Sequence, residues 1–243
     1  MGGLRKKGHL YNYNKIFYYN EVKLLYLILF IPVYSYSASN YKFRVGGGLY
    51  SKSLTGTQKS TSTEGKLISN SNLVTGLKLN YRYSKSVHFL FNYVSQDFSF
   101  DNTDSIIADE SSFQVSTINI GARWIMLKRV AFRFMITSAD DLAFTVDSNK
   151  KAVLYSESLK YLSLFYDQIV FMGSKMYSGF RFGYDLESSG STISGRSGTM
   201  FTLFFNMGNF EVSYDLKNHT KENSTMDFVE SDNSLNVTYA FSF

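Results

Sequence analysis

Beyond residue 40 the chain alternates apolar and polar side chains with a period of two, and does so again and again. No other feature narrows the fold as much. Period two sends successive side chains to opposite faces of a strand, whereas an amphipathic helix repeats near 3.6. The last stretch is the clearest: Leu235, Val237, Tyr239, Phe241 and Phe243 alternate with Asn236, Thr238, Ala240 and Ser242. Ten such stretches can be read, near 40–53, 72–84, 86–100, up to 126, 130–137, 154–166, 175–186, 199–207, 210–217 and 235–243. Those at 154–166 and 199–207 are apolar on both faces. With 22 Phe, 19 Tyr, no Cys and one proline, Pro32, the composition suits long aromatic strands and excludes disulfides and thiolate metal sites. The length fits one domain.

The net charge of +5 invites a nucleic-acid reading, but residues 1–38 hold Arg5, Lys6, Lys7, Lys15 and Lys23 against the single acid Glu21. The rest of the chain has 20 basic and 19 acidic residues, so no nucleic-acid partner is expected. The same leader contains the apolar run LLYLILFIPV at 24–33, followed by the small residues Ser35, Ser37 and Ala38. That run is too short to span the bilayer as a helix, and its flanks suit a cleaved secretory signal at 1–38 with a barrel domain at 39–243. An uncleaved anchor is the alternative, and the long segment before Glu21 suits either an extended signal or a start placed too far upstream.

The connections alternate in length. Short turns fall near 84–86, 127–129, 167–168 and 207–209; longer polar segments fall at 55–69, 101–112, 138–151, 187–198 and 218–233. An up-and-down antiparallel barrel of about ten strands, with both termini at the short-turn end, requires that pattern. A soluble barrel would also alternate, so the identity of the polar face decides between the two. It carries Lys42, Arg44, Lys78, Arg82, Arg123, Arg133, Lys175 and Arg181, with Asp185, Glu211 and Asp215 as acids. A dry interior would not hold so many ions, since each unpaired one costs several kcal/mol. The charged face is therefore expected to line a lumen and the Phe/Tyr face to meet lipid, with Tyr81, Tyr83, Tyr93, Trp124 and Tyr239 near the interfaces.

The C-terminal pattern Val237-x-Tyr239-x-Phe241-x-Phe243 resembles the closing strand of small bacterial outer-membrane β-barrels of the OmpX/OmpW-like class, without resolving a subfamily. The resemblance implies residence in the outer membrane and export through the periplasm. It implies contact with outer-membrane lipid and lipopolysaccharide, and recognition of the last strand by the barrel-assembly machinery. It also implies an extracellular ligand reached through long loops, and no cofactor.

Catalytic chemistry is thinly represented. Asp140-Asp141 and His219 invite comparison with omptins, ten-stranded outer-membrane proteases, but they fall in the segments read as loops and are expected to be solvated charges. No acidic partner for His219 can be read nearby. His88 is expected on the lumen face as a structural histidine paired with Gln96 or a carboxylate. The Asp101 to Asp104 segment lacks the glycine of a calcium loop. Gly46, Gly47 and Gly48 suit close packing in a strand, and Asn223-x-Thr225 and Asn236-x-Thr238 match a glycosylation pattern by chance. The expected role is a non-enzymatic structural or surface-interaction scaffold. A small, weakly anion-preferring pore is the alternative, and a rim hydrolase or lipid-modifying enzyme comes third.

Overall fold

The computed structural model describes residues 41–62, 64–100, 107–108, 113–146 and 151–242. The expected signal at 1–38, the segment at 101–104 and the terminal Phe243 lie outside the described residues. Strands β1 (Tyr41–Gln58), β2 (Glu64–Arg82), β3 (Val87–Phe98), the two-residue β4 (Ile107–Ala108), β5 (Phe113–Leu127) and β6 (Val130–Val146) come first. They are followed by β7 (Lys151–Met172), β8 (Met176–Ser188), β9 (Ser194–Met207), β10 (Phe210–Glu222) and β11 (Met226–Ser242). Ten long strands pair antiparallel with their sequence neighbours, and β1 pairs with β11 from Lys42↔Ser242 to Gln58↔Met226. The β7–β8 pairing completes the circuit, and the sheet is thereby a closed ten-stranded barrel. The short β4 pairs parallel with the start of β7.

The alternation read from the sequence sorts the wall into two faces. Leu49, Phe89, Phe91, Ile120, Trp124, Phe134, Phe182, Phe210 and Val237 are exposed on the outer face, where water would penalise so large a continuous apolar surface. Aromatic side chains mark both margins of this band: Tyr83, Trp124 and Tyr239 toward the short turns, Tyr93, Tyr184 and Tyr214 toward the other end. The band stops abruptly. Beyond Tyr93 the next outward residue is Ser95, beyond Ile118 it is Ser116, beyond Ile136 it is Ser138, and beyond Leu235 it is Asn233. A closed barrel with an apolar outer band is the form in which strands can cross a bilayer with every backbone group paired.

The strands do not stop where the band does, which corrects the sequence reading. Most of 55–69, 138–151 and 218–233 belongs to strands rather than loops, and β10 and β11 are joined by 223–225 alone. These hairpins project past the band with a polar outer face and an apolar inner one, a pattern whose Gly, Ser and Thr content mimics loop composition. Gly56 shows why small residues are needed there: a Cβ at that position would lie 2.7 Å from Phe144, 2.8 Å from Met226 and 2.9 Å from Phe228. The glycine makes room for the Phe144 ring of β6 from across the bore and for the Phe228 ring of its register partner on the adjoining β11, and the two rings meet edge to face at 5.2 Å. Together with Leu54, Leu67, Leu142 and Ile193 they form a buried core inside the projecting end.

A second correction concerns β7. A turn was expected at 167–168, but the strand runs on to Met172 and the turn falls at 173–175. A register shift between Ile169 and Phe171 absorbs the extra residue.

Candidate functional site: the filled bore

The inward side chains stack in layers from the short-turn end outward. Asp167 of β7 stands at the centre of the first. Arg133 of β6 donates to its Oδ2 at 2.7 Å, Arg181 of β8 donates to Oδ1 at 2.8 Å, and Arg123 of β5 lies 3.2 Å from Oδ2. Three guanidinium groups from three strands thus share one carboxylate that is 1 % exposed.

On the opposite wall Glu211 of β10 accepts from Arg44 of β1 and lies 3.6 Å from the Lys78 ammonium of β2. Asp215, two inward positions further out, accepts from Thr202 at 2.6 Å and from Asn236 at 2.8 Å. Between these groups remains a pocket of about 100 Å³ bordered by Gly46, Gly76, Lys78, Lys217 and Thr238.

The third layer sits at and beyond the outer margin of the apolar band. Asp185 accepts from Ser163 at 2.5 Å, from Arg196 at 3.1 Å, and shares a 2.9 Å hydrogen bond with His219 Nε2. Arg196 continues to Asp141 at 2.7 Å and stacks 4.0 Å over the Tyr161 ring. Lys221 joins Asp141 to Glu230, and Lys52 joins Glu230 to Asp232, the latter at 3.3 Å. Burial alone would raise the Glu230 carboxyl, but the Lys221 and Lys52 ammonium groups hold it well below the usual carboxylate range. Burial likewise opposes the Arg196 charge, and Tyr161, Asp141 and Asp185 more than offset it. Four carboxylates from three strands meet Lys52, Arg196 and Lys221, so the layer links β1, β6, β8, β9, β10 and β11 across the bore. The apolar core lies directly outside it.

Several expected lumen residues meet here. Arg44, Lys78 and Glu211 form one ion-paired group, and Arg123, Arg133 and Arg181 another; Asp185 and Asp215 are acceptors in the bore. Lys42 and Arg82 are exposed at the short-turn rim. Lys175 is a correction: it lies in the exposed turn before β8 begins, where alternation no longer dictates a face. In the closing strand Val237 and Tyr239 are outward, and Phe241 packs 4.8 Å from Tyr239 and 6.5 Å from Phe43.

The residues expected to be loop charges need a larger revision. Asp140 and Asp141 lie in β6, where Asp140 accepts from Ser116 and Asp141 is buried in the third layer. His219 lies in β10, 2 % exposed, and its acidic partner Asp185 comes from another strand. Proximity in sequence could not reveal that partner. The His–Asp hydrogen bond that a hydrolase would use is present, but it is sealed among ion pairs rather than open to a substrate. His219, Glu230 and Asp232 place ligand atoms within 4.8 Å of one another, as a metal site would, yet the Lys52 and Lys221 ammonium groups already occupy the Glu230 carboxylate. His88 faces Arg82 and Arg123 in register, so that among the described residues its ladder neighbours are these cations rather than Gln96 or a carboxylate. Asn236 is an inward donor in the bore, and Asn223 caps the last hairpin by accepting from Thr225 N at 2.8 Å and Met226 N at 2.7 Å.

A further site escaped the sequence reading. Glu157 of β7 accepts from the Thr192 amide at 2.9 Å, from the Ser191 and Thr192 hydroxyls at 2.6 and 2.8 Å, and from the Ile193 amide at 2.8 Å. The tip of the β8–β9 hairpin is folded over this one carboxylate.

No protein family matches the sequence, and no curated protein matches it. Among solved structures, the outer membrane protease OmpT from Escherichia coli is similar over 87% of this chain and 99% of its own, with 8% identity and a TM-score of 0.49. The COG4313 outer membrane channel from Pseudomonas putida F1 is similar over 86% and 98%, at 11% identity and a TM-score of 0.45. Ail, the attachment invasion locus protein of Yersinia pestis, is similar over 82% and 98%, at 13% identity and a TM-score of 0.36. At these values the likeness is one of general barrel form: a protease, a channel and an attachment protein share it, and it selects none of their activities.

Proposed function

We propose that this chain is a closed barrel of the bacterial outer membrane, non-enzymatic, that works through the polar β-wall projecting beyond the lipid band. The observation that carries this reading is the filling of the bore. Two ion-paired groups, a third charged layer that links six of the strands and an apolar core succeed one another along it. Barrels of this strand number have an interior that side chains can fill, and here they do. Outside the band, strands from all ten positions present Ser, Thr, Asn and mixed charges on a rigid scaffold, a surface suited to contact with lipopolysaccharide or an extracellular ligand. The anion-preferring pore loses its basis because Arg44, Arg123, Arg133 and Arg181 face carboxylates rather than an open path.

The chain has no native cysteine, so single cysteines report cleanly on this arrangement. A membrane-impermeant maleimide applied to intact cells should label S158C on the projecting wall, leave S234C in the bore unlabelled, and reach K85C only after the outer membrane is opened. Rapid labelling of S234C from outside would mean an open bore and overturn the reading.

A further inference from the structure

The short-turn end of the barrel carries a charge pattern that the filled bore does not explain. Its turns hold Lys85, Lys128, Arg129 and Lys175, all exposed, and no acidic residue. Three of these stand together. The Ser86 carbonyl accepts from the Ile125 amide at 2.7 Å, which ties the turn bearing Lys85 to the strand that ends just before Lys128 and Arg129. Immediately along the wall from this cluster, the outer face is notched. A groove of about 500 Å³ opens across β3, β5, β6, β7 and β8, bordered by Trp124, Phe132, Phe134, Leu164 and Tyr184, with the small Ala122 among them. Its volume is in the usual range for a ligand pocket, about 300 to 1,000 Å³. Val87 and Trp124 are paired residues at its short-turn end, so the groove begins where the cations are.

We propose that this groove seats an anionic glycerophospholipid of the inner leaflet. An acyl chain lies against Trp124, Phe134 and Leu164, and the phosphate sits among Lys85, Lys128 and Arg129. An apolar trough with a cationic mouth at the membrane interface matches a lipid that has a hydrocarbon tail and a net negative head. Lipopolysaccharide belongs to the other leaflet, because short turns face the periplasm. A purely polar polyanion would use the cations and leave the trough empty. The inference rests on the membrane placement above.

The test is electron spin resonance of the full chain reconstituted in phosphatidylcholine vesicles with spin-labelled phosphatidylglycerol or phosphatidylcholine. A gel that separates folded from heat-unfolded barrel accompanies each sample, so failure to insert is distinguished from failure to select lipid. Phosphatidylglycerol should be retained over phosphatidylcholine by about tenfold at low salt. The triple variant K85Q/K128Q/R129Q should remove that preference. A122W, which fills the trough, should weaken retention of both lipids, and K160Q at the opposite margin should leave the preference intact. Equal retention of the two lipids by the unmodified chain would overturn the proposal. So would a preference that survives both the triple variant and A122W, or one that K160Q abolishes equally, since that would be a general charge effect.

Discussion

Asp167 shows how much one residue can hold in place. Its carboxylate is the shared counter-ion of Arg123, Arg133 and Arg181, so removing its charge strands three guanidinium groups inside the wall. Breaking a buried pair by deleting one partner typically costs about 3–5 kcal/mol. Asp167→Asn should therefore lower the urea midpoint of the folded barrel by an amount in that range. Arg133→Met should cost much less, because two arginines still pair the carboxylate. Equal effects would show that the charges act independently. Gly56 poses a packing question of the same scale: Gly56→Ala should destabilise by about 1–3 kcal/mol through its clash with Phe144 and Phe228. Shortening the ring in the double variant G56A/F144L should recover part of that loss, which a double-mutant cycle reads directly. The arginines of the bore were legible in the sequence because alternation alone assigns a face. Of their counter-ions, Glu211 lies on the face that alternation assigns, whereas Asp167 falls at 167–168, where the sequence suggests a turn, and no pairing could be read. Which carboxylate lies opposite an arginine depends on how the staggered strands close on one another, and Asp167 and Glu230 come to their partners from other strands.

At the scale of elements, strand identity was visible but strand length was not. Alternation between lipid and lumen gives strong contrast within the apolar band. Above it both faces carry small and polar residues, and the contrast fades although the ladder of hydrogen bonds continues. The projecting hairpins therefore need their own means of support, and the β8–β9 tip draws its from Glu157. Burial would raise this carboxyl, but the Ser191 and Thr192 hydroxyl and amide donors override it and hold it at about 2, against 4.5 for an unperturbed glutamate. A depressed folded value means that the unfolded tip binds the proton more readily. The support is thus complete above pH 4.5 and is lost progressively as the pH falls from 4.5 toward 2. Pepsin cleavage within 189–193 should accelerate across that window. Glu157→Gln should make the tip susceptible throughout it and flatten the dependence; an unchanged profile in the variant would remove Glu157 from the account.

For the whole molecule, two solvents meet one closed wall. The apolar band faces lipid over about half the length of the longer strands, and the remainder stands in water with its own core. Continuity between these halves comes from the charged layer of Asp141, Asp185, Arg196, Lys221, Glu230 and Lys52, which bridges β1, β6, β8, β9, β10 and β11 at the height where the outer face changes character. Such a layer opposes the passage of ions, because any ion entering must displace partners that are already paired. The direct measurement is single-channel conductance of the refolded barrel in planar bilayers, with folding confirmed on a heat-modifiability gel. A folded, heat-modifiable protein that gives no steady conductance steps is the predicted result. Reproducible steps with anion preference, lost when Arg123 and Arg133 are neutralised, would contradict the closed bore and return the lumen arginines to the role of a selectivity filter.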